Sequence, residues 1–167
     1  GGRSGLSSVA FDADGRRLFG FGQGLCVWDV ASGRREVKLL DAETEIGHVA
    51  IGGDGRYLVA AVATQEDARA EVLRWSLPDL KPLEPLRVRD LRPDPLAEAM
   101  GVLALAASPR GNIIAASFGD SRIRLWDVQA AKPLSVLEGH RAPPVSLAFS
   151  SNRSWPHGAA TTEVVSE

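Results

Sequence analysis

Three tryptophans, at positions 28, 75 and 126, each sit near the end of a short alternating segment, and each follows a turn glycine, at 15, 55 and 111. The spacings are 40 and 56 between the glycines and 47 and 51 between the tryptophans. A pattern that returns at this interval restricts the chain more than any single motif, because one supersecondary unit must be built several times over. The clearest copy is Gly111 to Gly139, GNIIAASFGDSRIRLWDVQAAKPLSVLEG. It contains a turn at Arg110-Gly111, an apolar run Ile113 to Ala116, a tight turn at Gly119-Asp120, an alternating segment Ile123 to Val128 and a last short strand, Leu134 to Leu137. Short β-prone runs separated by turn residues predict a meander of antiparallel strands.

The same order is legible upstream. Ser8 to Phe11, Leu18 to Phe21, Leu25 to Val30 and Glu36 to Leu40 are four predicted strands, with turns at Asp14-Gly15, Gly22-Gln23-Gly24 and Ser32-Gly33. A second unit runs Val49 to Ile51, Tyr57 to Val62, Val72 to Leu77 and Pro82 to Val88, with its turn at Asp54-Gly55. A third opens at Val102 to Ala106, and the first strand of a fourth is Val145 to Ser150. From turn glycine to tryptophan there are 13, 20 and 15 residues, so the second unit carries an insertion, at Thr64 to Arg69. A longer excess lies at Arg89 to Met100, where Pro93 and Pro95 each remove a ladder donor and a central strand is disfavoured. On the third strand of the best unit, Ile123, Leu125 and Asp127 point one way and Arg122, Arg124 and Trp126 the other.

These residues resemble the WD family, whose repeat is the four-stranded blade of a β-propeller. The resemblance implies an all-β, incomplete propeller of four-stranded antiparallel blades at residues 6–40, 48–88 and 102–138, with the first strand of another at 144–150. Residues 151–167 lack a strand pattern and read as an irregular or disordered tail, with translation out of frame as one account of it. Three blades and a strand do not close a ring of roughly 4–8 blades, so the chain is expected to be truncated at both ends. The resemblance assigns structural roles to Trp28, Asp29, Trp75, Asp120, Trp126, Asp127 and His140. In the family the strand tryptophan joins a hydrogen-bonded set with a Ser or Thr, a His and a tight-turn Asp. Here Asp120 matches the Asp and Phe118 stands where the Ser or Thr belongs. Gly22 replaces the tight-turn Asp in the first unit, Ser76 replaces the second Asp of the Trp-Asp pair in the second, and His48 is an imperfect match.

The net charge of −2 leaves no basic stripe, which argues against a nucleic-acid partner. No apolar run approaches the roughly 18 residues that span a bilayer. The chain shows no leader, and its one cysteine, Cys26, cannot form an internal disulfide and reads as a small core residue; a cytoplasmic setting is expected. The Gly20-x-Gly22-x-Gly24 run lacks the third spacing and following helix of a dinucleotide site, and acidic residues show no metal-ligand spacing, so no cofactor or metal is expected.

The predicted function is a non-catalytic protein–protein interaction scaffold. Its binding loops fall on the narrow face: Asp41 to Gly47, Thr64 to Glu71, Arg89 to Met100, Gly119 to Ser121 and Arg141 to Pro144. Candidate partner-binding residues are Glu66, Arg69, Arg92, Asp94 and Arg141. The expected partners are other proteins and the remaining blades of a longer parent chain. The alternative is an accessory propeller of a larger signalling enzyme, such as a protein kinase, with its catalytic domain elsewhere.

Overall fold

The computed structural model describes residues 8–63, 70–87, 101–150 and 164–165. These residues form strands and turns, without a helix among them. The strands are β1 (Ser8–Phe11), β2 (Arg17–Asp29), β3 (Arg35–Ile51), β4 (Tyr57–Ala63), β5 (Ala70–Ser76), β6 (Lys81–Arg87), β7 (Val102–Ala107), β8 (Ile113–Phe118), β9 (Ile123–Asp127), β10 (Lys132–Leu137), β11 (Ala148–Phe149) and β12 (Val164–Val165). Every pairing is antiparallel, in sheets ordered β1-β2-β3-β4-β5-β6, β10-β9-β8-β7 and β11-β12.

The long element β2 is a folded-back pair rather than one straight strand. Thirteen extended residues would span about 40 Å at ~3.3 Å each, yet Val30 N donates to Arg16 O at 2.9 Å across its two ends. The reversal falls at Gly22–Gly24, where Gly24 takes φ 86°. The same closing bond recurs from Leu77 N to Arg56 O at 2.6 Å and from Val128 N to Asn112 O at 3.0 Å. Three units therefore share one design. β3 links two of them: its first part pairs with Leu25 to Trp28, its second with Leu58 to Ala63. The loop expected at Asp41 to Gly47 is accordingly extended backbone, because Glu45 bridges Gln23 on one side and Ala63 on the other.

Alternation gives each sheet two working faces. Phe19, Phe21, Leu25 and Val27 of the first unit pack against Leu58, Ala60, Val62 and Trp75 of the second. Tyr57, Val59, Val72 and Leu86, on the second unit's other face, pack against Ile114, Ala116, Phe118, Trp126 and Val128 of the third. Each of Trp75 and Trp126 thus looks back onto the preceding unit. Arg74 crosses the second junction: buried, it donates from Nε to Glu84 O at 2.6 Å and from Nη1 to Val128 O.

Outer strands β6 and β10 both begin Lys-Pro and are largely exposed. Lysine and proline blunt an edge that would otherwise recruit a further strand.

Two expectations change at the C-terminal end. The strand predicted at Val145 to Ser150 is reduced to Ala148–Phe149. It pairs with Val164–Val165, inside the stretch expected to be irregular, where two adjacent β-branched residues favour extended backbone.

Candidate interaction face

The two ends of the strands are built differently. At one end the first turn of each unit carries a glycine at φ 71°, 69° and 73°, at positions 15, 55 and 111. Each glycine N–H donates in the same three-residue closure, Gly15 N to Asp12 O, Gly55 N to Gly52 O and Gly111 N to Ser108 O, at 3.2, 2.8 and 2.8 Å. The turns also nest. Gly53 N donates to Ser108 O at 3.2 Å, and a methyl group at Gly111 would collide with the Asp54 carboxylate. The Asp of each Trp-Asp pair works at this end too. Asp29 Oδ1 accepts from Ser32 N at 2.7 Å and Ser32 Oγ at 2.5 Å, which hold the carboxyl below its ordinary range, and Asp127 Oδ1 accepts from Ala130 N at 2.8 Å.

The opposite end, the narrow face, holds the turn Gly119-Asp120-Ser121 and the segment from Glu138 to Pro144. Ser121 sits at φ 61°, and Phe118 and Arg122 close the turn through Phe118 N to Arg122 O and Ser121 N to Phe118 O, both 3.2 Å. Beneath it Asp120 receives Arg124 through two bonds, Nη1 to Oδ1 at 3.0 Å and Nη2 to Oδ2 at 2.6 Å. Burial pushes the Asp120 carboxyl up, but hydrogen bonds and charge from Arg124, with the Arg122 backbone, outweigh it and hold the group below its usual range. Arg124 also lies 4.7 Å over the Phe118 ring, which meets Trp126 edge-on at 6.3 Å.

The hydrogen-bonded set implied for Trp126 does not assemble in this form. Phe118 offers its indole nothing, Asp120 is taken by Arg124 and Arg122, and His140 is exposed. Among the described residues the buried Trp126 Nε1 has no hydrogen-bond partner. Arg124, which alternation alone places beside Trp126, is the residue that takes up Asp120. A basic side chain two residues before a Trp and four after a turn Asp, on the same strand face as the Trp, was the available signal.

Of the candidate partner-binding residues, Arg141 is exposed on this face. Glu66, Arg69, Arg92 and Asp94 lie outside the described residues. Arg122 bridges Asp120 and Glu138, reaching Glu138 Oε1 from Nε at 3.1 Å. Trp28 and Cys26 are half-buried on the face of the first unit turned away from its core, so Cys26 is not the core residue expected.

The geometry is that of the β-propeller fold, four-stranded antiparallel sheets stacked face to face. The family model described as WD domain, G-beta repeat matches residues 97–127 and 131–166, the third unit and the segment after it. The fold is that of solved WD40 structures: the RRP9 WD40 repeats (TM-score 0.70, 19% identity, 88% of this chain and 42% of that one) and U3-55K (0.70, 18%, 88% and 43%). A relative by sequence is the periodic tryptophan protein 2 homolog of Neurospora crassa, 38% identical over 68 residues, 40% of this chain. This chain spans 8% of that protein and less than half of either solved chain.

Proposed function

We propose that this chain is a non-catalytic interaction scaffold that holds other proteins through its narrow-face loops. The observation that carries the reading is the asymmetry of the two strand ends. At the wide end the turns are short, closed by their own backbone and packed on one another, as Gly53 on Ser108 and Asp54 on Gly111. At the narrow end Arg141 is exposed on an irregular segment, and the longest connections of the sequence, 64–69 and 89–100, join strands at the same end. Binding residues concentrate on loops held by a rigid scaffold, and a WD-type stack of sheets is such a scaffold. The alternative of an accessory propeller for a kinase draws no support from any residue described above.

The reading is tested by charge reversal. Arg92→Glu and Arg141→Glu should reduce recovery of a captured protein partner while the melting temperature stays unchanged. Arg16→Glu and Arg56→Glu, on the wide end, should leave recovery intact. Loss caused by the second pair alone would place binding on the wrong face.

A further inference from the structure

The connection that leaves the third unit is tied down at both ends. At its start Glu138 Oε1 accepts from Arg122 Nε at 3.1 Å. Arg122 also reaches Asp120, which Arg124 holds from the core, so a chain of charges runs from a buried side chain out to the surface. At its end Ser117, fully buried on β8, donates from Oγ to Pro144 O at 2.6 Å, a contact between residues 27 apart in the chain. Pro144 is buried, while residues 139–142, between the two ties, are exposed.

Little freedom remains between the ties. A proline fixes its own φ at about −65° and pushes the residue before it towards extended backbone. Ala142 precedes Pro143, and Pro143 precedes Pro144, so covalent geometry alone confines residues 142–144. Gly139, at φ 128°, supplies the bend by which the chain leaves β10. Arg141 therefore stands between a bend and a stiff run. It is exposed and pairs with no carboxylate among the described residues.

We propose that Ser117 and Arg122 are positioning residues, which hold residues 138–144 as a preformed loop carrying Arg141. A side chain that already stands in its binding geometry loses less freedom when a partner arrives. Ser117 acts from inside the sheet. Its hydroxyl is sealed from any partner and works only through the Pro144 carbonyl. Arg122 acts from the surface, through Glu138. What the loop holds rests on the narrow-face reading given above; its fixed shape does not.

The test is limited trypsin digestion of the 167-residue chain, with the fragments weighed by mass spectrometry. Cleavage of a folded chain follows local opening. The bond after Arg141 should resist in the native chain. Ser117→Ala and Glu138→Gln should each raise its cleavage several-fold, while cleavage after Arg16 and Arg56, in the wide-end turns, keeps its native rate. Glu138 is exposed, so the second variant keeps the fold even where loss of the Ser117 hydroxyl does not. A native chain cut after Arg141 as fast as the denatured chain, an unchanged rate in both variants, or a rise shared equally by Arg16 and Arg56 would each overturn the proposal. The digestion needs no partner, so its outcome is separate from that of the charge reversals.

Discussion

Arg124 holds Asp120 with both arms of its guanidinium, at 3.0 and 2.6 Å, and the two side chains are 0% and 2% exposed. A buried charge keeps its place only while its partner is present. Removing one member of such a pair typically costs about 3–5 kcal/mol, whereas replacing both with apolar groups is often neutral. Asp120→Ala should therefore destabilise by about that amount. The double variant Asp120→Ala, Arg124→Leu should recover most of the loss in urea unfolding. Additive losses would mean that the pair does not act as a unit.

The tryptophans should not be equivalent. Trp126 is fully buried and Trp75 nearly so, each against the preceding unit, while Trp28 is half-buried on an open face. Truncation of a core Trp to Ala costs about 3–5 kcal/mol. Trp126→Ala and Trp75→Ala should fall in that range or prevent folding. Trp28→Ala should cost clearly less in the same melting experiment, and equal losses would contradict the packing order.

The extent to which this was legible from sequence follows from the same residues. Local chemistry carried the units. Turn glycines, alternating strands and the Trp-Asp pair at 126 and 127 each need only neighbours in the chain to be read. What could not be read is what happens between units. The choice of Asp120 between an indole set and Arg124 depends on which side chains the packed fold brings within bonding distance of it. The extended path of β3 across the expected Asp41 to Gly47 loop depends on Gln23 and Ala63, residues far away in the chain. Cys26 alternates like a core residue, but among the described residues no sheet packs on its face.

Two turn glycines separate backbone strain from crowding. Gly15 and Gly111 have φ 71° and 73°, but a methyl at Gly15 meets nothing within 4 Å, whereas one at Gly111 runs into Asp54. Gly15→Ala should cost about 1–2 kcal/mol, the left-handed penalty alone. Gly111→Ala should cost more, because the Asp54 carboxylate must also move and give up its bond from Arg56 N. Chemical denaturation of the two variants compares them directly, and a smaller loss at Gly111 would contradict the nesting of the turns.

Acid should weaken the fold in two stages. His48, half-buried on β3, has its pKa lowered by desolvation, so the unfolded chain takes up that proton first. Stability is then full above the ordinary histidine value of about 6.5 and falls as pH drops towards the lower folded value. Asp120 is also held below its ordinary value. Its contribution is full above about 4 and is lost as pH falls through the folded pKa. Stability measured against pH should lose the first stage in His48→Gln and the second in Asp120→Asn. A profile that declines towards neutrality instead would reverse the assigned signs.

The most direct measurement is amide hydrogen exchange of the chain, free and bound to a protein partner recovered with it. Binding through the narrow face predicts new protection at residues 119–122 and 138–144, with the turns at 12–16, 53–56 and 109–112 unchanged. Protection confined to those three turns would contradict the account.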